Sequence, residues 1–395
     1  MDDNRYEVVI VAAKRSAMGS FLGQFHSVNA TDLAAPILED CMNTTGLSGQ
    51  DINEVLLGCV LPAGQGQAPA RQATLKAKLP HSVGATTINK VCGSGMKAVM
   101  LAHNAISLDP TKIIFAGGME NMSQAPYVIK KARTGMKMGH QNMLDHMFID
   151  GLEDAYTGKS MGSFAQQHAD EIGFTRSDQD QFALRSLAKA KDAIQQGIFL
   201  DEIVPIHIKT KKAEVMITED EQPSQARPEK IAELKPAFSK QGTITAANSS
   251  SISDGAAVLL LMSADEAQKR KLPILAKIKA STTYSCAPEK FTSAPIGAIN
   301  QLLSDAQWST DDVDLYEINE AFAMVTMFAI KQLELPAEKV NIYGGACTLG
   351  HPIGCSGARI LVTLIHALRR KGLHKGVASL CIGGGEATAM AIEVV

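Results

Sequence analysis

No Cys-x-x-Cys pair occurs in this chain, and no group of histidines and cysteines has the spacing of a zinc site, although seven cysteines are present: Cys41, Cys59, Cys92, Cys286, Cys347, Cys355 and Cys381. An odd set of thiols without paired spacing argues against a disulfide framework and for a reducing compartment, the cytoplasm. No apolar run reaches the roughly 18 residues of a membrane span. The polar start Met1-Asp2-Asp3-Asn4-Arg5 resembles neither a signal peptide nor an Arg-rich transit peptide. A net charge of −3 gives no pull toward nucleic acid or an anionic membrane. There is no P-loop, no H-E-x-x-H, and no G-x-G-x-x-G with an acidic residue about 20 positions on.

What the chain does have is material for a core. With 395 residues, 45% hydrophobic and 20% charged, it has the length of two or three domains. One unit recurs. Glu54–Val60 reads as a buried strand followed by a Gly-rich turn and a helix near Gln67–Ala77; Asp312–Ile318 is a similar strand leading through Asn319-Glu320-Ala321-Phe322-Ala323 into a helix to about Leu333. Gly93-Ser94-Gly95 opens a helix, matched by Cys355-Ser356-Gly357, and each precedes an apolar strand ending in glycines, Ile113–Gly118 and Val377–Gly384. Strand, helix, strand predicts an α/β fold of duplicated βαβ halves with parallel sheets, whose ligand lies beyond the carboxyl ends of the strands.

Residues 121–248 fit neither copy and read as an inserted loop region between an N-terminal half (1–120 and 249–273) and a C-terminal half (274–395). The methionines of the stretch from about 119 onward, Met119, Met122, Met136, Met138, Met143, Met147 and Met161, read either as core filler or as an adaptable apolar pocket. The helix Thr175–Gly197 follows, and Lys209–Pro236 reads as a charged surface loop.

Chemistry concentrates at the strand ends. Cys92, in Asn89-Lys90-Val91-Cys92-Gly93-Ser94-Gly95, falls at a helix N-terminus, where unpaired N–H groups and the helix dipole favour thiolate. Its acyl adduct is a thioester, so exchange with a thioester substrate is nearly energy-neutral. His351, in Gly350-His351-Pro352, is placed to take the thiol proton or to hydrogen-bond an oxyanion. Cys381 precedes Gly383-Gly384-Gly385, whose N–H groups suit an enolate or tetrahedral oxygen. A second thiol is superfluous for hydrolysis and makes sense if a proton α to a thioester carbonyl is removed. Plainer readings stand beside these: a structural His before Pro, a buried Cys381 in an apolar strand, and Asn319-Glu320 as a helix cap.

Taken together, Val11–Gly19, Cys92-Gly93-Ser94-Gly95, Ala116–Ser123, Asn319-Glu320-Ala321-Phe322, Gly350–Gly354 and Cys381–Gly385 resemble the thiolase family, the acyl-CoA C-acyltransferases, over essentially the whole chain. The resemblance implies a five-layer αβαβα arrangement and a homo-oligomer, dimer or tetramer. It implies Cys92 as acyl carrier, His351 as its base and Cys381 as the acid/base of the second step. One oxyanion hole would be His351 plus a water held by Asn319, the other the N–H groups of Cys92 and Gly383. Ser250 would meet the pantetheine of CoA, with Met161, Phe291 and Phe322 near the acyl group. The activity implied is a reversible Claisen condensation of two acetyl-CoA to acetoacetyl-CoA and CoA, with no cofactor beyond the CoA of the substrates and no metal. A broad-range 3-ketoacyl-CoA thiolase is the alternative within the family; a CoA-binding scaffold and a Cys–His hydrolase are the alternatives outside it. The chain departs from some bacterial members at Pro223, where an arginine stands near the adenine, at Ser160, where a histidine stands, and at Glu386–Ala389. Arg227, Lys230 and Lys209–Lys212 are candidates for the nucleotide end of CoA.

Overall fold

A computed structural model describes residues 6–209 and 214–395. Nine strands run in the order Leu315–Ile318, Lys375–Ile382, Glu386–Glu393, Ala276–Ser285, Val8–Arg15, Ser253–Ser263, Ile114–Asn121, Glu54–Gly58 and Gly84–Ile88. The order is nearly symmetric about a central seam, with four strands on one side and five on the other. Val8–Arg15 and Ala276–Ser285 meet antiparallel through Val9/Lys277 and Ile10/Ala276. On either side of that seam lies one antiparallel strand, followed by strands parallel to one another, three on the Val8–Arg15 side and two on the other. The duplication read from the glycine-punctuated segments is therefore real at the level of topology. The expectation of wholly parallel sheets needs correction: Ser253–Ser263 and Glu386–Glu393 run antiparallel to their neighbours, which makes the sheet mixed. Ser253–Ser263 is buried at every position, so its near-continuous apolar run carries no alternation to betray its direction.

Helices cover both outer faces, and two more fill the middle. Ser94–Leu108 and Ser356–Lys371 pack on each other and on strands of both halves, while Ala30–Thr45 and Ala294–Ala306 each lie against one half only. This is the five-layer αβαβα arrangement. The central helices come unusually close: a Cβ at Gly95 would lie 2.9 Å from the Ala358 nitrogen, and one at Gly357 would lie 2.5 Å from the Met96 nitrogen. Ser356–Lys371 is buried over most of its length, which suits an inner layer; Arg369-Arg370-Lys371 and the left-handed Gly372 then end it where the dipole favours cations.

The stretch 121–248 is more structured than a loop. It contains the helices Met161–Ile172 and Arg176–Gln195 and two small hairpins. Nor is Lys209–Pro236 a free surface loop. Asp220 is buried and holds the fully buried Arg15 by two hydrogen bonds of 2.7 and 2.9 Å, and Glu221 accepts from the Ser20 and Gln24 amides. Pro223 is buried too. The methionines divide: Met119, Met122 and Met147 are core, whereas Met136, Met138 and Met143 are exposed. Among the described residues, no helix is long and apolar enough to cross a membrane.

Candidate active site

Cys92 sits two residues before the helix Ser94–Leu108, as its sequence context predicts. The turn leading to it is strained: Val91, a β-branched residue, has φ +46°. A left-handed residue of that type costs about 1–3 kcal/mol and persists only where its surroundings enforce it. Here they do. Asn89 Oδ1 accepts the Val91 N–H at 2.9 Å, the Ser94 hydroxyl donates to the Val91 carbonyl at 2.6 Å, and the Lys90 N–H donates to Ser94 Oγ at 2.8 Å. The strain turns the thiol away from the strand direction and into a cavity.

That cavity, of about 230 Å³, is lined by Cys92, by His351, and by Cys381 and Gly383, from three separate segments, with Met161, Phe291, Phe322 and Ser250 around them. Sequence positions up to 291 residues apart (Cys92 to Gly383) thus share one space. The backbone N–H groups of Cys92 and Gly383 both reach the Cys92 sulfur and pull its pKa down. Burial outweighs them and pushes the thiol up to about 11. The helix N-terminus is where the sequence places it, but the expected bias toward thiolate is overturned by desolvation. Cys381, at the end of Lys375–Ile382, is buried, and its thiol is raised well above the usual range, first by burial and then by the Cys92 sulfur.

His351 is almost fully buried, and burial, with the nearby Arg359 guanidinium second, lowers its pKa to about 3. Its ring is therefore neutral. Its Nδ1 lies 2.6 Å from Ser356 Oγ, whose hydroxyl is 3.0 Å from the Pro352 carbonyl. Its backbone is held by the other half: the His351 N–H points to the Ser251 carbonyl and Ser253 Oγ, each at 3.2 Å. Asn319 follows the strand Leu315–Ile318 and places its Nδ2 3.5 Å from His351 Nδ1. Among the described residues, His351 Nε2 and Asn319 Oδ1 are buried without a hydrogen-bond partner. Asn319-Glu320 is no helix cap, because the next helix begins at Ala323 with Phe322 before it; Glu320 is instead buried among Asn341, Ser186 and the Cys347 amide.

Gly383-Gly384-Gly385 closes a hairpin between Lys375–Ile382 and Glu386–Glu393. Gly384 and Gly385 have φ +92° and +88°, a region that side chains avoid, which frees the Gly383 amide to face the sulfur. Aromatic rings floor the cavity. Phe291 and Phe238 each meet Phe322 edge to face, at 6.4 and 6.0 Å between centroids. Ser160 caps the helix that starts at Met161, its Oγ accepting the Ser163 amide. Ser250 is held by its N–H to the Ala321 carbonyl at 2.9 Å. A second, wider groove shares Ser251 and Ile252 with the cavity and extends past Arg227 and Lys230. Lys209 is exposed in a hairpin beside Glu214, away from that groove's lining, and Lys211 and Lys212 lie outside the described residues.

Two residues escaped the sequence reading. Ser356 was visible only as a helix-start residue, although its spacing from His351 puts it in the same turn. Phe238 had no local signal, because its place over Gly162 depends on a chain reversal.

Family models match nearly end to end: "Thiolase, N-terminal domain" over residues 8–265 and "Thiolase, C-terminal domain" over 272–394. The chain belongs to the thiolase family. An acetyl-CoA acetyltransferase of Pseudomonas aeruginosa is 47% identical over 388 residues, covering 98% of this chain and 99% of that protein. A probable acetyl-CoA acyltransferase of Staphylococcus aureus is 46% identical over 98% of each. Among solved structures, the Bacillus anthracis acetyl-CoA acetyltransferase superposes with a TM-score of 0.97 at 42% identity, covering 100% of both chains. A thiolase from Ascaris suum in complex with coenzyme A gives 0.93 at 39%, covering 98% of this chain and 100% of that one. The six sequence segments thus identified the family correctly, and the thiolase halves defined by the two matches meet between residues 265 and 272, beside the central seam.

Proposed function

We propose that this thiolase is an acetyl-CoA C-acetyltransferase, transferring a short acyl group through a Cys92 thioester by reversible Claisen condensation. The observation that carries the reading is the convergence of Cys92, His351, Cys381 and Gly383 on one cavity. In the resting site both partners are neutral, thiol and imidazole. As Cys92 attacks the acetyl-CoA carbonyl, its proton passes to His351 Nε2, and the imidazolium returns that proton to the departing CoA sulfur. Cys381, a thiol at rest, passes its proton to His351 Nε2 and, as thiolate, takes a proton from the methyl carbon of a second acetyl-CoA. The carbanion attacks the Cys92 thioester, acetoacetyl-CoA leaves, and the imidazolium returns its proton to the released Cys92 thiolate, so that both thiols and the imidazole are neutral again. The N–H groups of Cys92 and Gly383 are aimed at charge on the acyl-enzyme oxygen. Once it carries the Cys381 proton, His351 Nε2–H suits a hole for the second oxygen, together with a water held by the unpaired Asn319 Oδ1.

Ser250 is assigned to the pantetheine arm, with Met161, Phe291 and Phe322 against the acyl group, and the groove past Arg227 and Lys230 to the nucleotide. A cavity of about 230 Å³ is smaller than the roughly 300–1,000 Å³ of ordinary ligand pockets, and Phe291 at 3% exposure blocks its extension. Both favour short chains over the broad-range alternative. The reading needs no cofactor beyond substrate CoA. A homo-oligomer, dimer or tetramer, is supported by the outer edge of Gly84–Ile88, which is unpaired among the described residues, and by exposed Met136, Met138 and Met143. Seven free cysteines suit the cytoplasm.

The test is the rate of CoA-dependent cleavage of 3-ketoacyl-CoAs from acetoacetyl-CoA upward in chain length. Cleavage confined to the shortest substrate is expected, and a flat or rising profile would replace this reading with the oxidation thiolase.

A further inference from the structure

One buried carboxylate lies behind the site without lining its cavity. Glu120, fully buried at the end of Ile114–Asn121, gathers four donors from two loops. Its Oε2 accepts the N–H groups of Val60 and Gly354, each at 2.9 Å; its Oε1 accepts the Leu61 N–H at 3.1 Å and the Cys59 thiol at 3.6 Å. Gly354 belongs to the turn that carries His351. Val60 and Leu61 pack with Ile353, Met122 and Met147 into a small apolar cluster on which Cys92 leans.

The other side of the Gly354 peptide is gripped equally closely. Its carbonyl sits where a Cβ on any of three glycines of the first half would collide with it: at 2.7 Å from Gly58, at 3.0 Å from Gly95, and in outright overlap from Gly118. Gly95 lies three residues after Cys92, and Gly354 three residues after His351. The contact between them therefore sets the distance from nucleophile to base. A bare backbone socket resists compression but does not pull. The pull comes from the carboxylate, which draws the Gly354 N–H toward the first half.

We propose that Glu120 is a positioning residue for acyl transfer, whose carboxylate holds the His351 turn in register with the Cys92 helix. A glutamine cannot replace it, because one of its two ends is an NH₂ group facing N–H donors. Burial raises the Glu120 carboxyl to about 7, and once ionised its charge works against the nucleophile, as the smallest of the influences on the Cys92 thiol. Position and charge thus predict opposite effects, and this separates them experimentally.

The inference rests on the acyl-transfer reading above. Glu120→Gln is compared with wild type for thiolysis kinetics, iodoacetamide alkylation of Cys92, and thermal unfolding. Misplacing a reacting group by about 1 Å costs roughly 100-fold, so kcat is expected to fall about 10- to 100-fold while KM changes by less than about threefold. Alkylation of Cys92 should be as fast as in wild type or faster. A folded variant with kcat within about twofold of wild type overturns the proposal, as does a kcat loss matched by slower alkylation and a raised KM. If Glu120→Gln does not fold, Gly354→Ala, whose Cβ would lie 2.5 Å from Glu120 Oε2, disturbs the same clamp. The same kcat loss is expected there, and its absence is equally fatal. Cys92→Ala, assayed beside them for the acyl adduct by intact mass, separates the two failures: an adduct in that variant refutes the acyl-carrier reading, not the role of Glu120.

Discussion

Ser356 Oγ stands 2.6 Å from His351 Nδ1 and 3.0 Å from the Pro352 carbonyl, and it has one proton for two neighbours. If that proton goes to His351, the contact with Pro352 is left as oxygen against oxygen. If it goes to Pro352, Ser356 accepts from Nδ1–H and both contacts are hydrogen bonds. The second arrangement puts the imidazole hydrogen on Nδ1 and leaves a lone pair on Nε2, the atom with no protein partner among the described residues. A base needs that tautomer.

Ser356→Ala should therefore slow acylation by about tenfold, equivalent to about 1.4 kcal/mol, with KM for the acyl-CoA nearly unchanged. Stopped-flow release of CoA in the first half-reaction reads this directly. An unchanged acylation rate would show that the tautomer is set elsewhere.

Cys92 without substrate is a thiol, raised to about 11 by burial. Its alkylation rate should keep climbing through the alkaline range, close to tenfold per pH unit, instead of levelling near neutrality. A plateau below pH 8 in the free enzyme would mean that a thiolate–imidazolium pair exists before substrate arrives.

His351 also makes folding pH-sensitive. Its pKa falls from 6.5 to about 3 in the folded protein, so the unfolded chain binds the proton more readily. Stability should fall as pH drops below about 6.5 and go on falling toward 3, by up to about 1.4 kcal/mol per unit. His351→Asn should flatten that part of the profile when urea midpoints are compared across pH. Parallel profiles for the two proteins would remove His351 as the cause.

The two left-handed glycines of the Gly383–Gly385 hairpin are not equivalent. Around Gly384 a Cβ meets nothing within 4 Å, whereas at Gly385 it would overlap the Cys286 carbonyl. Gly384→Ala should cost only the backbone strain, about 1–2 kcal/mol. Gly385→Ala should cost more and displace the Cys381 strand end as well. Equal melting temperatures for the two variants would count against the packing shown here.

Sequence reasoning located the parts that announce themselves locally. Cys92, His351 and Cys381 each sit beside glycines at a strand or helix end, and that punctuation survives without any knowledge of the fold. Direction within the sheet was harder: Ser253–Ser263 is buried on both faces, so parallel and antiparallel neighbours ask for the same residues. The thiol's protonation was misjudged because a helix N-terminus is visible in sequence and desolvation is not. Ser356, Phe238 and the Val91 strain were missed for one reason. Each acts through a partner that only the folded chain brings near, and none carries an unusual residue type.

The helices Ser94–Leu108 and Ser356–Lys371 begin at matching points of the two copies, so counting back two residues from each sets Cys92 opposite Gly354. One copy carries the reactive sulfur in that slot; the other carries no side chain at all and offers its peptide to be grasped. The ancestral symmetry has been spent on a division of labour. A thiol in the second slot would have nowhere to go, and a hydrogen atom in the first would leave nothing to acylate. Each copy has become incomplete in the place where its twin is specialised.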